Sequence, residues 1–196
     1  MYVYKGGAMR LISKIILTLC LIILTSSSHA FELEGIEVLS GFFEANLRDR
    51  DDYQGIPLFV SLNYDAKPIF EMIGIRTEGK LQFLMEGFAN TIISPEANVE
   101  VGSNFLIKYV FPLSDFIQPY FKGGLGTLYM SQKTQEQGSQ YNFLPQAGVG
   151  CHLFFWDDAA LSLEYRYRHL SNNSLERRNG GIDANMALAG ISFFFQ

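Results

Sequence analysis

From Phe31 onward the chain repeats one pattern, in which apolar and polar side chains alternate with a period of two, segment after segment. The clearest case is 161–171. Leu161, Leu163, Tyr165, Tyr167, His169 and Ser171 share one face, against Ser162, Glu164, Arg166, Arg168 and Leu170 on the other. Such a strand fits two settings. In a soluble sandwich the apolar face is the core and the charges meet water. In a membrane barrel the apolar face meets lipid and the charges fill the lumen.

Eight segments read as strands: 36–48, 56–64, 80–90, 98–111, 117–130, 141–156, 159–171 and 183–195. In the second, Leu58, Val60, Leu62 and Tyr64 oppose Phe59, Ser61 and Asn63. In the fourth, Val99, Val101, Phe105, Ile107, Tyr109 and Phe111 oppose Glu100, Asn104 and Lys108. In the sixth, Ala147, Val149, Cys151, Leu153 and Phe155 oppose Gln146, Gly148, Gly150 and His152. Glu86, Glu100, Glu164, Lys108, Arg166 and Arg168 all fall on the non-apolar side of their strands. Three acids against three bases suit a narrow lumen in which buried charge must be paired. Solvated sheet faces also mix charges, so the balance alone does not choose.

Connection lengths and termini do choose. If the chain enters from the periplasm, even-numbered connections are periplasmic turns and should be short. Residues 112–116 and 157–158 comply, while 49–55, 91–97, 131–140 and 172–182 are longer and polar. The exception is 65–79, a long even-numbered connection that either extends its flanking strands or holds a short helix. The last strand presents Ala187, Ala189, Ile191, Phe193 and Phe195 outward, and an aromatic terminal segment of this kind resembles the recognition signal of outer-membrane barrels. No run after Phe31 reaches the roughly 20 apolar residues of a membrane helix. The expected architecture is all-β: an eight-stranded antiparallel transmembrane β-barrel over 31–196.

Residues 1–30 read as a cleaved signal peptide, with Arg10 and Lys14 before an apolar run from Ile15 to Thr25 and Ser28-His29-Ala30 at the cleavage site. The apolar run is short for an N-terminal anchor, and bulky Leu19 before Cys20 does not suit a lipoprotein signal. Removing the leader takes three bases (Lys5, Arg10, Lys14) and no acid, so the formal charge moves from −5 to −8. That excludes nucleic acid as an expected partner. Cys151 then remains alone, without an intramolecular disulfide. The expected location is the bacterial outer membrane.

In such a barrel His169 and Ser171 lie on the lipid side at the extracellular end of strand seven. Their Cα atoms are about 7 Å apart, within reach by side-chain rotation. Strand eight begins at Asp183 on the same face, so the hairpin returns a carboxylate beside His169. A nucleophile, a base and an orienting acid then come from one hairpin. Spacing alone does not separate this from an interfacial His–Ser pair. His152, the other mature histidine, falls on the lumen face. No Gly-x-Ser-x-Gly elbow, paired-His metal motif or phosphate loop competes, so no metal or cofactor is expected.

The run Tyr165-Arg-Tyr-Arg-His169-Leu-Ser171-Asn172, followed by Asn179-Gly-Gly-Ile-Asp183, resembles the lipid A 3-O-deacylase (PagL-type) outer-membrane family. The positional match covers His169, Ser171, Asn172, Asn179, Gly181 and Asp183. The resemblance implies Ser171 as nucleophile, His169 as general base, Asp183 as the acid that orients the imidazole, and Asn172 and Asn179 as residues shaping the site or its oxyanion hole. It implies lipid A of lipopolysaccharide as substrate, and a homodimer is compatible with it. The sequence departs from the pattern at Asp183, where the family's acid is usually Glu, at Asn173-Ser174, and at Arg178, where a Pro often precedes the Asn. Arg177 and Arg178, with Arg48 and Arg50 near the first long loop, are candidates for holding the lipid A phosphates. Two other readings stand beside this one: a non-catalytic barrel serving adhesion or envelope integrity, and a phospholipase or acyltransferase using the same serine.

Overall fold

The computed structural model describes residues 32–45, 47, 53–131, 138–173 and 175–195. The expected leader, Arg48 and Arg50 lie outside the described residues. Eight strands run in chain order: β1 Leu33–Ala45, β2 Tyr53–Asp65, β3 Lys80–Ser94, β4 Asn98–Val110, β5 Ile117–Met130, β6 Tyr141–Trp156, β7 Ala159–Leu170 and β8 Ile182–Phe194. Each pairs antiparallel with its neighbours, and β1 pairs with β8 to close the barrel. Closure removes both sheet edges, so the strand ladders leave no open edge toward lipid.

Sequence and structure differ at the strand ends. β3 runs on past Asn90 to Ser94 because Thr91 and Ile92 stay paired with both β2 and β4, and Asn90 itself is firmly held. It points into the lumen, where its Nδ2 donates to Glu100 Oε2 at 2.7 Å, and Ile92 beyond it is fully buried. The third connection shrinks accordingly to residues 95–97. β1 begins three residues earlier than the alternation suggests, since Gly35 pairs with Phe194 and brings the start of β1 and the end of β8 to one rim. β7 stops at Leu170, and Ser171 forms an isolated antiparallel bridge with Phe143 of β6. The long connection 66–79 holds a short helix, α1 Lys67–Met72, with Pro68 in its first turn, where the missing N–H costs nothing.

The outer wall is apolar. Val38, Leu58, Val60, Met85, Val101, Phe105, Leu125, Val149 and Leu163 are all largely exposed on the isolated chain. So many exposed aliphatic groups around a closed wall require lipid, not water, as their solvent. The lumen is filled. Among the described residues Glu37, Glu86, Glu100 and Glu164 are buried with Lys108, Lys122, Arg166 and Arg168. Arg166 joins Glu86 at 2.7 Å and Glu164 at 2.6 Å; Lys122 joins Glu164 at 2.7 Å and Glu37 at 3.3 Å. Arg168 meets Glu100 at 3.0 Å, and Lys108 meets Glu37 at 3.3 Å. Pairing offsets the cost of taking these ions from water. The guanidiniums also lie over aromatic rings, Arg166 over Phe59 at 4.2 Å and Arg168 over Phe43 at 5.1 Å. Glu37 and Lys122 complete the set; both lie on the inward side of their strands, opposite outward Val38 and Phe121.

Above the charged belt, at the rim opposite the chain ends, an apolar plug closes the lumen. Phe43, Tyr53, Ile92, Met130, Leu144, Leu170, Ile182 and Ala184 belong to it. Its importance for the site is positional. Leu170, Ile182 and Ala184 are inward-facing and essentially fully buried, and they alternate with outward-facing His169 and Asp183. A one-residue slip between β7 and β8 would turn these apolar groups to the outside and the charged ones into the plug. The plug therefore holds the register that the outer face depends on.

Candidate active site

That register pairs His169 directly with Asp183. Directly opposed residues on one face bring their Cβ atoms to about 5 Å, within reach for an imidazole and a short carboxylate. The His169 Nδ1–H donates to Asp183 Oδ1 at 2.6 Å. With Nδ1 so engaged, Nε2 is left as the ring's acceptor. Both side chains stay open to the outside, with 41% of the imidazole and 59% of the carboxylate accessible.

Two further residues touch this pair, and neither was assigned a part from the sequence pattern. Tyr167 donates its phenolic O–H to the same Asp183 Oδ1 at 2.7 Å. Tyr167 opposes Asn185 in register, so its hydroxyl leans two residue pairs toward the loop rim to reach Asp183. Tyr165 repeats the geometry one step deeper, donating to Asn185 Oδ1 at 2.5 Å. Sequence did hold a signal for both: they share the outward face of His169 at two-residue spacing. The second residue is Gly181, which has φ +74, a left-handed conformation that a side chain disfavours. A Cβ there would come within 2.7 Å of His169 Cε1. The glycine lets the backbone lie against the imidazole edge.

Ser171 lies one step past the end of β7. Its N–H donates to the Phe143 carbonyl at 3.1 Å, and its own carbonyl accepts from the Phe143 N–H at 2.7 Å, so its backbone is held although the strand has ended. The side-chain hydrogen bonds run Tyr167–Asp183–His169 and stop at the imidazole; the Ser171 hydroxyl is not among them. Beyond it the chain turns. Asn173 takes φ 49, which asparagine tolerates better than most residues, and the Leu175 N–H donates to the Asn172 carbonyl at 3.0 Å.

The two asparagines behave differently. Asn172 is fully buried: its N–H donates to Asn179 Oδ1 at 2.9 Å, and its Nδ2 donates to the Arg178 carbonyl at 2.7 Å. It ties the two arms of the loop together. Asn179 is half-buried, and the use of its Oδ1 leaves the amide NH2 as its free end. The Arg178 carbonyl also accepts from the Gly138 N–H at 3.0 Å, which stitches this loop to the one between β5 and β6. The side chains of Arg177 and Arg178 are exposed. His169, Ser171, Asn172, Asn179 and Asp183 themselves all lie on the hairpin of β7 and β8. Among the described residues no cluster of His, Cys, Asp and Glu is arranged to hold a metal ion.

Known proteins resemble this chain in fold and in family. The crystal structure of the outer membrane enzyme PagL superposes with a TM-score of 0.61 at 17% identity, covering 82% of this chain and 98% of that one. Neisserial surface protein A superposes equally well, with a TM-score of 0.63 at 14% identity over 82% of this chain and 96% of that one. At such identities these likenesses establish the barrel and leave the chemistry open. No curated protein sequence matches the chain. The family-level comparison is more specific, because the family described as Lipid A 3-O-deacylase (PagL) matches residues 59–192, a span that contains His169, Ser171, Asn172, Asn179 and Asp183. The chain therefore belongs to the lipid A 3-O-deacylase (PagL) family of outer-membrane β-barrels.

Proposed function

We propose that this protein is an outer-membrane ester hydrolase that removes the 3-O-linked acyl chain of lipid A through Ser171, His169 and Asp183. The observation that carries the reading is the 2.6 Å His169–Asp183 bond on the outer wall, beside Ser171, in a chain of this family. Polar groups on a lipid-facing wall are costly within hydrocarbon, and the cost falls near the headgroups. The scissile ester of lipid A lies at that level, between sugar and acyl chain. A serine esterase at the rim of the wall meets its substrate without extracting it from the leaflet.

The chemistry follows from the proton inventory. His169 Nε2 takes the Ser171 hydroxyl proton as Oγ bonds to the ester carbonyl carbon. The Asn179 amide NH2 is the side-chain donor suited to the oxyanion that forms. As the intermediate collapses, the C–O bond to the sugar breaks and the imidazolium returns the proton to the leaving 3-hydroxyl. Water, deprotonated by the same nitrogen, then attacks the acyl-serine, and the fatty acid leaves as Ser171 is regenerated. Rotation of the Ser171 side chain to meet Nε2 belongs to the substrate complex, since catalytic hydrogen bonds often tighten only there. Arg177 and Arg178, exposed in the same loop, would hold the lipid phosphates in this reading.

Mass spectrometry of lipid A from cells expressing the protein tests the assignment. The expected product has lost one hydroxyacyl chain from a 3-position, and cells expressing Ser171→Ala retain it. Fatty acid released from phospholipids, or an acyl chain moved to a second lipid, would replace this reading with the phospholipase or acyltransferase one. Unaltered lipids would leave a non-catalytic barrel.

A further inference from the structure

Within the triad reading, the geometry points to Tyr167 as a positioning residue that orients the Asp183 carboxylate for His169. Asp183 is the second residue of β8, with most of its carboxylate accessible, and its partners among the described residues are His169 and Tyr167. Both donate to the same oxygen, Oδ1, at 2.6 and 2.7 Å. One donor on a short side chain leaves its carboxyl plane free to turn. A second donor from a different direction removes that freedom.

The direction matters physically. Tyr167 is two residues below His169 on β7, on the same outward face and nearer the middle of the membrane. Its hydroxyl therefore caps the carboxylate from the hydrocarbon side, where water cannot supply the missing hydrogen bond. The ring stands on the lipid wall and its polar tip reaches up to the rim, a posture that suits tyrosine at an interface. Tyr167 touches no reacting atom in this arrangement. Its effect passes through Asp183 to the imidazole, and from there to the serine.

That chain of action makes a specific kinetic prediction for purified, refolded protein assayed on lipid A in detergent micelles. Tyr167→Phe keeps the ring and deletes the hydroxyl; kcat is expected to fall about tenfold, the order expected for losing one hydrogen bond to a charged group, with KM unchanged. In the Asp183→Ala background the same change should cost less than about twofold, because its target is gone. Tyr165→Phe deletes an equivalent interfacial hydroxyl that bonds Asn185 instead, and should leave kcat within about twofold.

Equal losses from Tyr167→Phe in both backgrounds would overturn the proposal, as would a raised KM with kcat intact. So would equal losses from the two tyrosine changes. Should Asp183→Ala fall below detection, the kcat–KM split and the Tyr165 comparison still decide. The underlying triad reading fails separately, if folded Ser171→Ala protein still deacylates. A dead Ser171→Ala variant beside an unaffected Tyr167→Phe variant removes only the role of Tyr167.

Discussion

His169 and Asp183 are cross-strand partners on the outer wall of the barrel, joined Nδ1 to Oδ1 at 2.6 Å, while their chain neighbours Leu170 and Ile182 are buried in the apolar plug behind them. The outward face that carries His169 and Asp183 and the packed face of the hairpin are the same alternation seen from two sides. Within the triad reading this predicts unequal failures. Ser171→Ala and His169→Ala should each lower kcat by at least about 10³-fold, and the double variant should be scarcely worse, because the two act as one unit. Asp183→Ala makes and breaks no bond and should leave measurable activity. Single-turnover rates on lipid A, with heat-modifiable gel migration as the check on folding, separate these cases.

Asp183→Glu tests the fit of the shorter acid. The bond from Asp183 to His169 is already at hydrogen-bonding contact, so an added methylene, about 1.5 Å of reach, has nowhere to go without turning the imidazole. The expected result is a kcat about 10- to 100-fold lower with a normally folded barrel. A faster enzyme would mean that Asp183 holds the ring poorly.

Gly181→Ala should damage the same ring from its other edge. The φ of +74 disfavours any Cβ, and the one added would sit 2.7 Å from His169 Cε1. Activity is expected to drop about 10- to 100-fold, with a stability loss of about 1 kcal/mol. Comparing lipid A turnover with the unfolding midpoint of the same sample distinguishes a displaced imidazole from a damaged barrel.

Arg166→Met should act on stability and spare the chemistry. It leaves Glu86 and Glu164 in the lumen without the guanidinium that bridges them at 2.7 and 2.6 Å. Breaking a buried pair from one side costs about 3–5 kcal/mol. The heat-modified gel transition should move to lower temperature, while activity per folded molecule stays near that of the parent.

The exposed Arg177 and Arg178 side chains are expected to act on the lipid phosphates. Replacing both with Gln should weaken turnover of bis-phosphorylated lipid A several-fold more than that of dephosphorylated lipid A. Equal losses on the two substrates would rule out phosphate contact.

Sequence alone determined the strand count, the inward and outward faces, and the residues gathered on the β7–β8 hairpin, because a period of two needs no knowledge of neighbours. It also carried the motif from His169 to Asp183, which lies within 14 residues. What it could not determine was any relation that depends on register between strands or on backbone conformation in a loop. Residues 91–94 read as the start of a loop until β3 is seen to stay paired with β2 and β4 beyond Asn90, whose amide reaches Glu100 of the next strand. Lys122 looks unassigned until the barrel closes and brings it to Glu37, 85 residues away in sequence. The hydroxyl of Tyr167 reaches Asp183 only because the side chain leans two pairs along the ladder, and Gly181 backs the imidazole only through a positive φ. Closure of β1 on β8 is the physical reason for most of this: it pairs the lumen charges, seals the plug behind Leu170 and Ile182, and so holds one register in which His169 meets Asp183.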